Sequence, residues 1–300
     1  MPARLTTYPP DQSALVRILD EDTVYTIGRI QECEICIDHP SISRRHAELV
    51  GMNGELTSWK LHDIGSKNGL RVDGHLTLKA SFTGSVWFAV GDVYCWLEMI
   101  DTAHATQARA QFASKRAHSR ELSVQFTPKL DIGTLIPQAL DVVLELAGLE
   151  RGFVLYSPAG QALRVRASRG MDMHDLSKAS FTGSATAVNQ ALNTNHSVVC
   201  CDTNDSPWLG LRPSVRLGGI RALICVPLHL IDGGKGVIYA DSRVPGPAIT
   251  DLDLELIENV ANHASHVLAA NLLQGEVDRL LESGAELDEI APRWDELRAF

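Results

Sequence analysis

The sequence is poor in cysteine, in long apolar runs and in positive charge. Six cysteines stand in 300 residues, at positions 33, 36, 95, 200, 201 and 225. They are too few, and too embedded in strand-like runs, for a disulfide framework, which fits a reducing compartment. Cys33 and Cys36 form a C-x-x-C, but no second pair or neighbouring His-x-x-x-His completes a zinc site, so no metal is expected. No apolar run reaches the roughly 20 residues of a membrane span. The opening MPARLTTYPP lacks the apolar core of a secretory leader. The expectation is a cytoplasmic protein without a membrane partner. Lys and Arg number 27 against 37 Asp and Glu, a net charge of -10. That field repels nucleic acid, and no basic recognition helix is present, so no nucleic-acid partner is expected. Any anion site must be a local basic island, and Arg29, Arg44, Arg45 and Lys67 can form one.

What is there describes a packed globular chain: 45% hydrophobic and 21% charged residues, long enough for two domains. From Ser13 to Ile100 short apolar runs (ALVRIL, VYTIG, CEICI, HAELV, LTSWKLHD, GLRV, YCWLEMI) alternate with turn residues. Close-spaced strands without a convincing helix predict an all-β sandwich or barrel. Gly51-Met52-Asn53-Gly54 and Asp73-Gly74 are hairpin turns. Residues 101–129 are rich in Ala, Gln, Ser, Arg and His and read as an exposed, partly helical linker.

From Asp131 helix-like and strand-like segments mix: LIPQALDVVLELAGL, then GFVLYS, ALRVRAS, SATAVNQALNT, SVVCCD, RALICVPLHL and GVIYADS. They predict an α+β domain with helices packed on an antiparallel sheet. A long helix follows, with Thr250 as N-cap and Leu252, Leu256, Val260, Ala264, Val267, Asn271, Val277, Leu280 and Leu281 approaching a heptad seam. Its stripe from Leu272 to Leu281 extends past the sheet and predicts a homodimer. The expected division is 10–100, a linker at 101–129, 130–274, and a helical tail at 275–300.

Three loop-borne blocks carry the chemistry: Gly28-Arg29, the run Ser41-Ile42-Ser43-Arg44-Arg45-His46, and Asp63-Ile64-Gly65-Ser66-Lys67-Asn68-Gly69. A phosphorylated threonine carries close to two negative charges and several acceptor oxygens. Arg29 offers a planar fork of donors, Ser43 a hydroxyl and Arg44 a second charge, while the amide of Asn68 suits a peptide backbone. Gly28 and Gly69 fit tight turns, and His46 reads as an inward-facing brace, since no nucleophile or metal partner stands near it in sequence. No catalytic constellation is present, so the expected role is that of a receptor and not an enzyme.

These blocks resemble the forkhead-associated (FHA) domain, with its glycine-arginine, serine-arginine-x-histidine and serine-x-asparagine-glycine elements. The resemblance implies a sandwich that binds phosphothreonine peptides at one end. Arg29, Ser43 and Arg44 would contact phosphate with help from Lys67, Asn68 would hold the peptide main chain, and Ser41 would read a side chain beyond the phosphothreonine. The partner implied is a threonine-phosphorylated protein, a Ser/Thr kinase or its substrate. The second half resembles a GAF domain, chiefly through GIRALICVPLHLIDGGKGVIYADS and the helix after it, an arrangement similar to bacterial FHA-GAF signalling proteins. That resemblance fixes no cofactor: a small unidentified ligand would sit in a pocket lined by Phe181 and Trp208. The chain lacks the Asn-Lys…Phe…Asp-Glu series of cyclic-nucleotide binders. Two alternatives stand beside the adaptor reading. One is a thiol-based redox enzyme using Cys200, Cys201 and Cys225, and the other is the sensor half of a regulator of transcription or of an effector enzyme.

Overall fold

The computed structural model describes residues 1–10, 12–53, 58–124, 132–171, 184–201, 219–230, 233–244 and 248–290. Alternation of apolar and polar side chains turns the first hundred residues into strands, since each strand has one face toward a core and one toward water. In chain order these are β1 (Ala3–Tyr8), β2 (Leu15–Leu19), β3 (Val24–Gly28), β4 (Ile35–Cys36), β5 (Ala47–Met52) and β6 (Ser58–Asp63). They continue with β7 (Leu70–Val72), β8 (His75–Thr77), β9 (Lys79–Phe82), β10 (Val86–Val90) and β11 (Val93–Met99). One sheet runs β2-β1-β11-β10-β7-β8 and the other β4-β3-β5-β6-β9. Every pairing is antiparallel except β3 with β4. The inner faces share one core, Leu5, Leu19 and Leu97 from the first sheet meeting Ile27, Leu49, Trp59 and Leu61 from the second. Within β11, Val93, Cys95 and Leu97 are buried while Tyr94 between them is exposed.

The register places the site. Ile27 pairs with Ala47, and Ala47 with Asp63. The end of β3, the start of β5 and the end of β6 therefore share one edge of the sandwich. Strand pairing brings the three motif blocks, which occupy the connections leaving that edge, to one end of the sandwich.

In the second half α2 (Ile132–Ala147), β12 (Arg151–Ser157), β13 (Arg164–Arg169), α3 (Ala185–Thr194), β14 (Val198–Cys200), β15 (Ala222–Pro227), β16 (Lys235–Ser242) and α4 (Asp251–Ile290) build the α+β unit. Its antiparallel sheet has the order β13-β12-β16-β15-β14. Leu135, Leu140 and Val143 of α2 and Ile257, Val260 and Ala264 of α4 cover one face. Ala187 and Ala191 of α3 pack on the other, against Phe153, Cys225 and Tyr239. Thr250 caps α4 as its sequence position indicates: its Oγ accepts from Asp253 N at 3.2 Å, and its N–H donates to the Asp253 carboxylate at 3.0 Å.

At three places the elements run across or fill the expected divisions. The sandwich begins at Ala3, ahead of residue 10, because β1 sits between β2 and β11. Much of the expected linker is the continuous helix α1 (Thr102–Val124), which lies along α4 through Lys115–Asp253 and Arg116–Glu255 ion pairs. Helix α4 crosses the expected break at 274 without interruption. The two domains also touch directly: Ala14 bridges to Thr250, and the Arg17 guanidinium pairs with Asp251 at 2.8 Å.

Candidate functional site

Backbone hydrogen bonds first stitch the three blocks together. The Arg29 N–H donates to the carbonyl of Ser43 at 3.1 Å, the His46 N–H to Ile27 at 2.8 Å, and the Ile64 N–H to His46 at 3.1 Å. Ser43 then ties all three. Its N–H donates to His46 Nδ1 at 3.2 Å, and its Oγ accepts the Lys67 N–H at 2.9 Å, leaving its own O–H as a donor.

His46 is fully buried, and its Nε2 donates to the Gly69 carbonyl at 3.1 Å. Nδ1 is thus an acceptor and the ring is neutral. Burial holds its pKa below 6.5, a shift partly opposed by the Gly69 hydrogen bond and the Asp63 charge. The ring is the brace its sequence position implies, with no nucleophile to activate.

Two glycines permit this geometry. Gly69 has φ +72°, a backbone region that side chains rarely occupy. At Gly28 an added Cβ would lie 2.2 Å from the Arg44 carbonyl oxygen and 2.6 Å from Cys33 Sγ.

Above this frame opens a cleft of about 790 Å³, lined by Arg29, Arg44, Lys67 and Asn68 among others. The side chains of Arg29, Arg44 and Lys67 are exposed. Asn68 donates one amide hydrogen to the Ser41 carbonyl at 2.7 Å. The arrangement is a set of cationic and amide donors on a rigid rim, suited to an oxyanion and an adjoining peptide backbone.

Ser41 lines the cleft, with its hydroxyl turned into the loop. It is buried, its Oγ accepts the Asp92 N–H at 2.9 Å, and that same Oγ bonds His39 Nδ1 at 2.7 Å. Its hydroxyl is therefore spent on holding the loop against the β10–β11 turn. Sequence reasoning gave Asp63 and Ser66 no role, yet they shape the third loop. Asp63 accepts from Gly65 N, Ser66 N and Ser66 Oγ at 2.6–2.9 Å, and Ser66 Oγ accepts from Gly69 N. Burial pushes the Asp63 carboxyl up, but these donors and His46 hold it below its ordinary value. The Asp-x-Gly-Ser spelling, an Asx-turn signal, was the cue. Arg45, Ile30 and Pro40 also line the cleft.

In the second domain Phe181 and Trp208 lie outside the described residues. Cys200 and Cys225 are buried in the apolar layer under α3, and burial pushes the Cys225 thiol far up. Cys33 and Cys36 are likewise raised, first by burial. Among the described residues no group of three or more His, Cys, Asp or Glu side chains gathers as for a metal ion. None of their helices is long and apolar enough to cross a membrane.

A β-sandwich bearing a loop-borne anion cleft, joined to an α+β unit of helices on an antiparallel sheet, is the class this geometry defines. Family models place it: that of the FHA domain matches residues 25–93 and that of the GAF domain residues 131–268. The chain carries an FHA domain followed by a GAF domain. No curated protein matches it. Among solved structures it is similar to the FHA domain of the CT664 protein from Chlamydia trachomatis, with 24% identity, 34% of this chain and 100% of that one covered, and a TM-score of 0.31. The Rv1747 FHA-1 domain from Mycobacterium tuberculosis shares 21% identity over 33% of this chain and 100% of that one, with a TM-score of 0.27. The GAF domain of a protein described as a sensor histidine kinase from Pseudomonas syringae shares 18% identity over 60% and 99%, with a TM-score of 0.40.

Proposed function

We propose that this protein is a cytoplasmic, non-enzymatic signalling adaptor. Its FHA domain docks on a threonine-phosphorylated protein, a Ser/Thr kinase or its substrate, and its GAF domain dimerises the chain, senses a small ligand, or both. The observation that carries this is the convergence of Arg29, Ser43, Arg44, Lys67 and Asn68 on one cleft, over a frame clamped by a neutral, buried His46. Arg29 and Arg44 supply forked donors, Ser43 a hydroxyl, Lys67 a point charge, and Asn68 an amide for the peptide main chain. Burial of Cys200 and Cys225, with the Cys225 thiol raised, weighs against the redox alternative, since it leaves only Cys201 of the three partly accessible. Two receptors in one dimer would raise the apparent affinity for multiply phosphorylated partners through effective concentration.

The test is titration of the full chain with a degenerate phosphothreonine-peptide library and its unphosphorylated counterpart. Only the phosphorylated library should bind. Arg29→Ala should weaken binding about tenfold or more, one charge-assisted contact, without unfolding the chain. Equal binding of the two libraries would overturn the proposal.

A further inference from the structure

The cleft holds more positive charge than one phosphothreonine neutralises. A phosphothreonine carries about 1.5 to 2 negative charges near neutral pH. Arg29, Arg44, Arg45 and Lys67 bring four cations to one cleft. None of the four side chains makes an ion pair or a hydrogen bond with the described residues, although acids outnumber bases in the chain by ten. Elsewhere arginines do find carboxylates: Arg4 with Glu98, Arg17 with Asp251, Arg109 with Asp20, Arg151 with Asp241.

Arg45 is the surplus group. It occupies the position that the serine-arginine-x-histidine element leaves open, and it is exposed. Its charge reaches Cys33 and Glu34, at the side of the cleft formed by the β3–β4 connection. Glu34 interacts with it through charge but forms no ion pair with it, and that carboxylate accepts the Thr26 N–H at 2.8 Å. Asp63 makes its hydrogen bonds within its own loop and forms no ion pair with Arg45.

Resting on the phosphothreonine reading above, we propose that the preferred ligand carries a second anionic group beside the phosphothreonine, a further phosphate or a carboxylate, with Arg45 as its counter-charge. A basic cleft of this kind discriminates by charge, since a neutral-flanked peptide leaves a cation solvated and a doubly anionic one pairs it.

The experiment is isothermal titration of the full chain, at about 150 mM salt so that long-range steering is screened. One arm uses a phosphothreonine peptide with alanine flanks. A second places one aspartate at each flanking position in turn, and a third places a phosphoserine there. At one or more positions the added anion should raise affinity about three- to tenfold, the range of one exposed ion pair up to a charge-assisted contact. Whether aspartate suffices or phosphoserine is needed identifies the source of the charge. In Arg45→Gln the ratio of anion-flanked to alanine-flanked affinity should fall toward one. If the alanine-flanked peptide binds and no added anion improves it, the proposal is wrong while the phosphothreonine reading survives. A ratio unchanged in Arg45→Gln also overturns it. If no phosphorylated peptide binds, both readings fall together.

Discussion

His46 Nδ1 accepts the backbone N–H of Ser43 at 3.2 Å, and through Nε2 the same ring holds Gly69, so one neutral imidazole fixes the spacing of two loops that border the cleft. Protonating that ring would set an N–H against the N–H of Ser43. Its folded pKa lies below the ordinary 6.5 because of burial. Between the folded value and 6.5 the unfolded chain therefore binds a proton that the native state does not. Stability is fully present above about pH 6.5 and declines as pH falls toward the folded pKa. Denaturant unfolding followed by tryptophan fluorescence is the readout, since Trp59, Trp87 and Trp96 all lie in the sandwich. His46→Ala should cost about 1–3 kcal/mol at neutral pH and flatten this acid slope. An unchanged slope would refute the clamp.

Gly28 makes a separate prediction, because what it lacks is occupied by its neighbours. Gly28→Ala drives a methyl into the Arg44 carbonyl oxygen and Cys33 Sγ. The carbonyl is the firmer obstacle, being the acceptor for the Arg29 N–H at 3.2 Å. We expect destabilisation of about 1–3 kcal/mol and a loss of phosphopeptide affinity of about tenfold or more. Adding Cys33→Ala clears the sulfur but not the backbone, so it should restore little, as paired denaturation and titration curves will show.

The convergence of the three loops on one cleft is legible in the sequence because its information is local. Arginine after glycine, Ser43 three residues before His46, and glycine after asparagine each encode a turn and a donor within a few residues. The sandwich class was legible for the same reason, from alternating runs between turns such as Asp73-Gly74. Strand β1 was not, since its partner β11 lies about ninety residues away and Pro9-Pro10 punctuate its end like a loop. Helix α1 reads as a partly helical linker because few large apolar side chains mark a buried face; its buried Ala105 and its ion pairs to Asp20 and to α4 hold it. The inward turn of Ser41 is not legible locally, because the donor that its Oγ accepts from, the Asp92 N–H, lies fifty-one residues on.

Inside the GAF domain Arg151 is buried against Asp241, its Nε and Nη2 donating to the two carboxylate oxygens. Tyr239 donates its hydroxyl to the same carboxylate at 2.8 Å. Burial raises the Asp241 pKa above 3.8, with Arg151 and Tyr239 pulling it back. The unfolded chain thus releases this proton more readily than the native state, and this group's contribution to stability improves as pH falls. Arg151→Met removes the main counter-charge and should cost about 3–5 kcal/mol. It should also steepen the gain on acidification. Adding Asp241→Asn should recover part of the loss at neutral pH, and calorimetry across a pH series would detect it. A double variant no more stable than the single one would argue against an uncompensated carboxylate.

Helix α4 carries the last prediction. Up to Leu268 its apolar side chains are buried in the GAF core, Leu254 partly, but Leu273 and Val277, one turn apart, are 59% and 47% exposed. The helix continues to Ile290, so this stripe stands on an ordered scaffold with no sheet of its own to cover. A second copy of the same helix offers the matching stripe, with the a/d-like spacing that helix pairs bury. Light scattering at micromolar concentration should give twice the 32.7 kDa chain mass. Leu273→Glu with Val277→Glu should halve that mass while leaving the unfolding transition in place, because neither side chain is part of the core. A monomer in the unsubstituted chain would remove the dimer from the adaptor mechanism, and single phosphopeptides should then bind as tightly as tandem ones.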